Sequence, residues 1–439
     1  VVVLEGGNSL GAATPARSPD DAAQRLAKAR LIADAWRLVG VDAVALGAND
    51  WSLGAAAEVR AIVTDLPVVA ANLVCDGASP YPASVVVERG GRRVGVVGVT
   101  AGQVTGCTVG EPVAAIRAAL DALPPVDVRV VLAPLDTVGL GAIGAAGLGD
   151  LVVDGGTGKT RQGPEPLGSG AAPLVLSVGA RTKVLGVLRV DFVDGATGFV
   201  VDGALARAQQ DVERARARLT TARERVTEQT DPALVARYEA QIVHFEKQVA
   251  AAEARLAALD ATEGVAHRLT PSDRPLSKDI LDHPETAAKV AEVLAGLGPS
   301  SAGHEAAVAR LVSSGPYLGA DGCRGCHPAA YAQWSSTPHA AALASLAKSK
   351  RSYDLECWSC HVTGANLDGG PAAPAAIGPF HGVQCEACHG PGRAHAADPG
   401  GVAIPVASPE AGACTGCHDG ERDEGRFDPA TYLPKVVHR

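Results

Sequence analysis

Four short segments repeat one spacing of cysteine and histidine: Cys323-Arg-Gly-Cys326-His327, Cys357-Trp-Ser-Cys360-His361, Cys385-Glu-Ala-Cys388-His389 and Cys414-Thr-Gly-Cys417-His418. Two thiols three positions apart can each form a thioether to a vinyl group of one porphyrin. The histidine directly after the second thiol is then delivered beneath the iron as its axial ligand. Zinc ribbons also use paired cysteines, but they do not require a histidine after every pair. Four repeats between residues 323 and 418 are not a product of chance, and they predict four covalently bound c-type haems. The chemistry expected of such a site is one-electron transfer.

Four irons with four proximal histidines leave up to four distal positions to fill. The chain contains no methionine, so the His/Met ligation that raises the potential of many cytochromes is excluded. Distal ligands must be histidine, or a site stays open. Eight other histidines are available: His244, His267, His283, His304, His339, His381, His395 and His438. The supply suffices for bis-histidine ligation and therefore for low potentials. His244 falls inside a helical pattern, and His267 and His283 read as surface residues.

The elements that must position these groups follow from composition and periodicity. At 439 residues the chain is too long for one ordinary core, and two or three domains are expected. It is 47% apolar but only 3% aromatic, with 51 glycines, so small aliphatic side chains must supply the polypeptide cores. A net charge of −9 argues against nucleic acid as a partner, because phosphate binding needs a basic face. No run of 18 apolar residues occurs, so no transmembrane helix is expected in this chain. A first residue other than methionine fits an exported protein whose leader has been removed.

From residue 1 to 202, Val-rich runs alternate with helical stretches. Strands are expected at 1–4, 43–46, 68–71, 84–88, 94–99, 128–133, 151–153, 174–178 and 185–192, and helices at 19–39 and 111–122. This alternation predicts an α/β layered domain. Over 203–260 the pattern changes to charged, alanine-rich helix. Leu205, Val212, Leu219 and Val226 recur every seven residues, and a 3-4 series runs from Tyr238 to Leu259. Asp231-Pro232 supplies an N-cap and a first-turn proline. The expectation is a long antiparallel helical hairpin, a structural arm or a surface for self-association or complex formation. Residues 261–316 read as a connector with one or two short helices. Beyond Pro316 periodicity fades, and the haem-bearing domain is expected over 317–439. About thirty residues per haem cannot enclose a large polypeptide core, so the porphyrins themselves are expected to form it in a mostly α domain.

The runs CRGCHPAAYAQWSSTPHAAAL, VQCEACHGPGRAH and RFDPATYLPKVVH resemble the tetrahaem cytochrome c-554 family, with the motifs in family order. The resemblance implies that His339 serves the third haem (His389), His395 the first (His327) and His438 the fourth (His418). The second haem (His361) is open in the family; here His381 or His304 could close it.

Residues 1–202 resemble calcineurin-like metallophosphoesterases of the 5′-nucleotidase type through VVVLEGGNSL, VDAVALGANDWSLG, VVAANL, RRVGVVGVT, LVVDGGTGK and VLGVLRVDF. That fold implies a layered sandwich around two metal ions. The ligands do not carry over: Asn8 replaces an aspartate, Ala48-Asn49-Asp50 replaces an asparagine-histidine-aspartate segment, and a later ligand histidine falls near Leu135. Gly156 and Gly158 replace the last two histidines, and no histidine precedes His244. A catalytically inactive scaffold is expected, with Asp50 and Asp154 structural. Gly155–Thr160 lacks the full spacing of a phosphate-binding loop. Cys75 and Cys107 could form a disulfide in an oxidising compartment.

Together these readings predict an exported electron-transfer protein of the bacterial periplasm or cell surface, with other redox or haem proteins as partners. Two alternatives follow from the same residues: reduction of a small nitrogen compound at an open haem, and a bifunctional phosphoesterase–cytochrome.

Overall fold

The computed structural model describes residues 1–159, 163–168, 173–177, 179, 184–228, 230–261, 264–277, 279–297, 312–365, 367–374, 377–419 and 426–438. His304 lies outside the described residues. The chain divides into two compact units, Val1–Ala13 with Trp36–Leu281, and Thr14–Ala35 with Asp282–Arg439.

In chain order the elements begin β1 (Leu4–Glu5), α1 (Pro19–Val39), β2 (Ala43–Val44), α2 (Ala48–Trp51), α3 (Ala56–Ile62), β3 (Leu73–Cys75), β4 (Ser84–Arg89), β5 (Arg92–Gly98) and β6 (Cys107–Val109). They continue α4 (Pro112–Asp121), β7 (Val128–Ala133), α5 (Thr137–Ala146), β8 (Leu151–Asp154), β9 (Glu165–Pro166), β10 (Leu174–Leu176), β11 (Val184–Leu185), β12 (Leu188–Asp191) and β13 (Phe199–Val201).

The first unit is built on a six-stranded sheet in the order β4-β5-β7-β8-β10-β9. Strands β5, β7, β8 and β10 run parallel, and β4 and β9 close the edges antiparallel. Alternate residues of a strand face opposite sides, and the valine runs use both. Val97, Val131 and Val152 pack with Ile116 of α4 and Leu140 and Ile143 of α5. Val96, Val130 and Leu151 pack instead with Val201, Leu269 and Phe199. Helix α4 starts where Glu111 accepts hydrogen bonds from the Val113 and Ala114 amides, with Pro112 in the first turn. Strands β3 and β6 pair antiparallel with Cys75 opposite Cys107, and the two cysteines form a disulfide.

Helices α6 (Ala204–Glu228) and α7 (Pro232–Asp260) form the expected hairpin, about 40 Å long at 1.5 Å per residue. Ala204, Ala208, Val212, Leu219 and Ala222 are its buried seam, and Arg216–Glu253 and Arg223–Glu246 pairs bridge the arms on the outside. The segment after the hairpin is not a plain connector at its start. It forms β14 (His267–Pro271) and β15 (Arg274–Pro275), and β14 lies between β12 and β13. β13 and β14 are parallel neighbours, and parallel strands need a long crossover between them. The hairpin is that crossover.

The second unit holds residues 14–35, α8 (Pro284–Gly296) and a series of short helices. These are α9 (Ala320–Cys323), α10 (Pro328–Ser335), α11 (Ala342–Ser345), α12 (Leu355–His361), α13 (Cys385–His389), α14 (Arg393–Ala397) and α15 (Pro429–Val436). Its apolar cluster is small: Tyr317, Leu355, Trp358, Val362, Ala365 and Phe380, edged by Leu343 and Ile377. Among the described residues, no helix of the chain is long and apolar enough to cross a membrane.

Candidate haem sites

Each C-x-x-C-H segment closes one helical turn. The His327 amide donates to the Cys323 carbonyl and the His418 amide to that of Cys414, both at 2.9 Å. The second and third motifs lie within α12 and α13. Two thiols and one imidazole therefore project from a single turn in every case. None of the eight thiols is in a disulfide, and none is fully buried.

Two of the motif histidine rings are oriented by backbone. His361 Nδ1 lies 2.7 Å from the Ala342 carbonyl and His389 Nδ1 2.7 Å from that of Val406. A carbonyl only accepts, so Nδ1 carries the proton and Nε2 keeps its lone pair for a metal. His395 is held in the same way by the Val402 carbonyl at 2.7 Å, and His381 faces that of Gly378 at 3.3 Å.

Two further histidines meet proximal ones. The rings of His339 and His418 are 6.4 Å apart between centroids, and those of His389 and His438 are 5.6 Å apart. Two imidazoles bound end-on to one metal through bonds of about 2 Å have centres about 6 Å apart. The two centroid separations lie close to that value. The resemblance implies His339 for the third haem and His438 for the fourth; the rings they lie beside here are those of the fourth motif for His339 and the third for His438. The cause is the course of the chain. Trp334 Nε1 donates to the Val383 carbonyl at 2.7 Å, fixing the end of α10 beside the third motif. The next turn carries His339 beyond it. Gln333 Nε2 donates to the Val437 carbonyl at 3.0 Å and anchors the segment after α15, which brings His438 to His389. Burial, and then the charge of His418, hold the His339 pKa below the usual histidine value. The His418 ring also stacks on Phe427, with centroids 4.6 Å apart.

The motifs also touch one another. Cys323 and Cys385 share a hydrogen bond, which raises the Cys323 pKa and is the main cause lowering that of Cys385 to about 7. Burial pushes the Cys388 thiol up, with Cys414 as the next contributor. Cys417 Sγ lies 3.8 Å from the carbonyl of Ser359, inside the second motif. In space the motifs run first, third, fourth, second.

Several residues that hold this arrangement carry no recognisable sequence signal. Buried Glu386, inside the third motif, accepts from the amides of Leu318, Gly319 and Gly392 at 2.6–3.1 Å. Gln384 accepts from the Ala320 amide at 2.6 Å and donates to the carbonyls of Pro379 and His381. These bonds lock the start of the first motif to the third. At the second motif, Asp354 caps α12 and is fully buried, with Arg351 Nη2 at 2.7 Å and Lys28 Nζ at 2.6 Å. Burial works against the Lys28 charge, but Glu356 and Asp354 outweigh it and raise its pKa. The segment 340–344, which supports His361, also lines a cavity of about 280 Å³ with Ser352, Tyr353, Ile377 and His381.

In the first unit, Asn8 and Asp50 are tied into backbone. Asp50 is wholly buried and accepts from the amides of Asn8, Leu10 and Gly47, each at 2.7 Å. Asn8 adopts φ +64°, donates to the Gly155 carbonyl at 2.8 Å and accepts from the Asn49 amide at 2.9 Å. Among the described residues of the whole chain, no three His, Cys, Asp or Glu side chains are grouped as a metal site.

Comparison with known proteins bears on the second unit. The sequence profile of the family described as cytochrome c554 and c-prime matches residues 322–390, which contain the first three motifs. The C-terminal region resembles cytochrome c-554. The cytochrome c-554 of Nitrosomonas europaea is 36% identical over 98 residues, covering 19% of this chain and 42% of that relative. The chain therefore spans less than half the length of this c-554. Two solved structures are similar to other extents of the chain. The sulfate thiohydrolase SoxB of Thermus thermophilus matches at TM-score 0.35 and 20% identity over 43% of this chain and 35% of its own. The NAD nucleotidase of Haemophilus influenzae matches at TM-score 0.30 and 12% identity over 42% of this chain and 33% of its own.

Proposed function

We propose that this chain is a multihaem c-type cytochrome that passes electrons along four covalently held haems. The observation that carries the proposal is the two pairs of neighbouring imidazoles, His339 with His418 and His389 with His438, set beside C-x-x-C-H turns whose thiols form no disulfide. The donor set fits the group: thiols that would tether each ring, and histidines whose Nε2 atoms would hold the iron. When bound, each haem supplies a one-electron ferric–ferrous couple. Cys323 and Cys326 would tether the first haem, Cys357 and Cys360 the second, Cys385 and Cys388 the third, and Cys414 and Cys417 the fourth. Their proximal ligands would be His327, His361, His389 and His418.

The contacts between motifs support a relay in the order first, third, fourth, second. His395 remains the candidate distal ligand of the first haem. Redox proteins are the expected partners, and the hairpin offers an exposed, charged arm for assembly. The Cys75–Cys107 disulfide supports an oxidising compartment, hence export to the periplasm or cell surface. For the first unit the same proposal includes loss of catalysis. Asp50 and Asn8 spend their polar atoms on backbone groups, and a Cβ on Gly156 would meet the Leu135 carbonyl at 2.0 Å.

The mass of the purified protein tests the reading. It should exceed the chain mass by four haems, and a deficit of one haem would mean that one motif is unused. A second reading, binding of a small ligand such as nitric oxide at the second haem, is favoured by the cavity at residues 340–344 and His381. Spectral titration with nitric oxide should then perturb one haem only.

A further inference from the structure

The second haem motif is held by a helix from the opposite end of the sequence. Residues 14–35, including most of α1, group with the second unit, and four side chains of this segment make specific contacts there. Ser18 Oγ donates to the Ala372 carbonyl at 2.6 Å. Gln24 donates to the Tyr353 carbonyl at 2.8 Å and accepts from the Leu355 amide at 3.0 Å, so it spans the residue that caps α12. Lys28 Nζ lies 2.6 Å from Asp354 and 2.8 Å from Glu356, and Asp34 pairs with Lys289 at 3.4 Å. Ala29 and Ala33 are fully buried beneath them.

The charges at the start of α12 come to zero only if this helix is counted. Asp354 and Glu356 contribute two negative charges and Arg351 one positive charge, and Lys28 supplies the fourth, across 326 residues of sequence from Asp354. Asp354 precedes Cys357 by three residues, about 4.5 Å of helix rise. Its side chain is fully buried and that of Lys28 is 23% exposed, so salt screens this group less than a surface pair.

We infer that α1, through Lys28, is a positioning element of the second haem site, balancing the charge at the start of α12 and thereby setting that haem's reduction potential. The inference rests on the haem reading above. A ferric haem carries one more positive charge than a ferrous one, so an unbalanced carboxylate beside it favours the ferric form. Without Lys28, the group at the start of α12 has a net charge of −1.

The test is a spectroelectrochemical titration of the full-length, haem-loaded protein. Lys28→Gln should move one of the four couples to lower potential by about tenfold in its reduction equilibrium, about 59 mV for one electron. Lys28→Arg should restore it. Glu356→Gln, at a side chain that is 74% exposed, should move the same couple upward, which keeps the test alive if Lys28→Gln does not fold. In a Cys357→Ala/Cys360→Ala background, which lacks the second haem, neither Lys28→Gln nor Glu356→Gln should shift the remaining three couples. Unmoved couples in both single variants with four haems present overturn the inference, as does a shift that persists in the background lacking the second haem. A protein mass that does not fall by one haem with Cys357→Ala/Cys360→Ala shows instead that no haem sits there, which removes the underlying reading and the inference together.

Discussion

His339 shows what a residue's neighbours in sequence can and cannot disclose. Its proximal counterparts are legible because tether and ligand are adjacent in each C-x-x-C-H segment, and one helical turn presents them together. A distal ligand has no such local mark. The motif that His339 lies beside is set by where the chain goes after α10, whose end the Trp334 bond to the Val383 carbonyl holds in place. The sequence therefore identifies His339 and His438 as ligand candidates while leaving their partners to tertiary structure. The observed pairing makes a specific prediction. His339→Ala should convert one haem from low-spin to high-spin, seen as a new high-spin ferric signal in electron paramagnetic resonance. Because His339 faces His418, that signal should be absent when the same substitution is made in a Cys414→Ala/Cys417→Ala background. A high-spin signal that survives there, and disappears instead with Cys385→Ala/Cys388→Ala, would assign His339 to the third haem. Glu386 and Gln384 were not legible in the same way. Nothing in a motif spacing says that its intervening residues will collect the amides of another motif.

At the scale of elements, periodicity served well where one physical cause dominated. Valine runs became β4, β5, β7 and β8, and the seven-residue series became the α6 seam. Helix α5 was not legible because Gly139, Gly141 and Gly144 fall within its ten residues, each disfavouring helix by about 1 kcal/mol relative to alanine. Packing overrides that cost. Leu140 and Ile143 are buried on the sheet, and the bare Gly144 lets the Leu167 carbonyl approach, where a Cβ would meet it at 2.1 Å. Strand β14 was hidden because its partners lie on the far side of the hairpin. The β3–β6 pair rests on its disulfide as well as on its ladder. Cys75 and Cys107 are 32 residues apart, and closing a loop of that length in the unfolded chain is worth about 3–4 kcal/mol. Cys75→Ser/Cys107→Ser should destabilise the first unit by about that amount in a urea titration, and a thiol reductant should do the same to the native protein. Thioether-bound haem is not released by such reductants, so the covalent haem content read from the protein mass serves as an internal control.

For the whole molecule, the two units differ in what can hold them together. Among the described residues the first has apolar clusters of thirteen and twelve buried members, whereas the second has a cluster of six and five further buried apolar residues, Ala29, Ala33, Leu297, Ala320 and Ala373. Burial of apolar surface supplies most of the favourable free energy of folding, at about 25 cal/mol per Å², and it must offset the entropy of every residue ordered. So few residues, most of the added ones alanine, cannot offset that for a unit of this length, whose glycine- and proline-rich turns are joined, among the described residues, by helices of at most thirteen residues apart from α1. Bound porphyrins would supply the missing apolar surface, and histidine pairs such as His339 with His418 would cross-link distant parts of the chain through iron. The prediction is that protein produced without haem attachment separates into an ordered part and an unordered one. In hydrogen exchange, amides of β4, β5, β7, β8 and β10 should stay protected, while those of residues 282–439 exchange rapidly. Residues 14–35 distinguish this account from simple loss of a C-terminal domain. They are joined to the first unit in sequence, yet their hydrogen bonds go to the second. They should lose protection together with α12 when haem is absent and regain it when haem is attached. Protection of residues 14–35 that does not depend on haem would show that α1 holds its structure without the second haem motif.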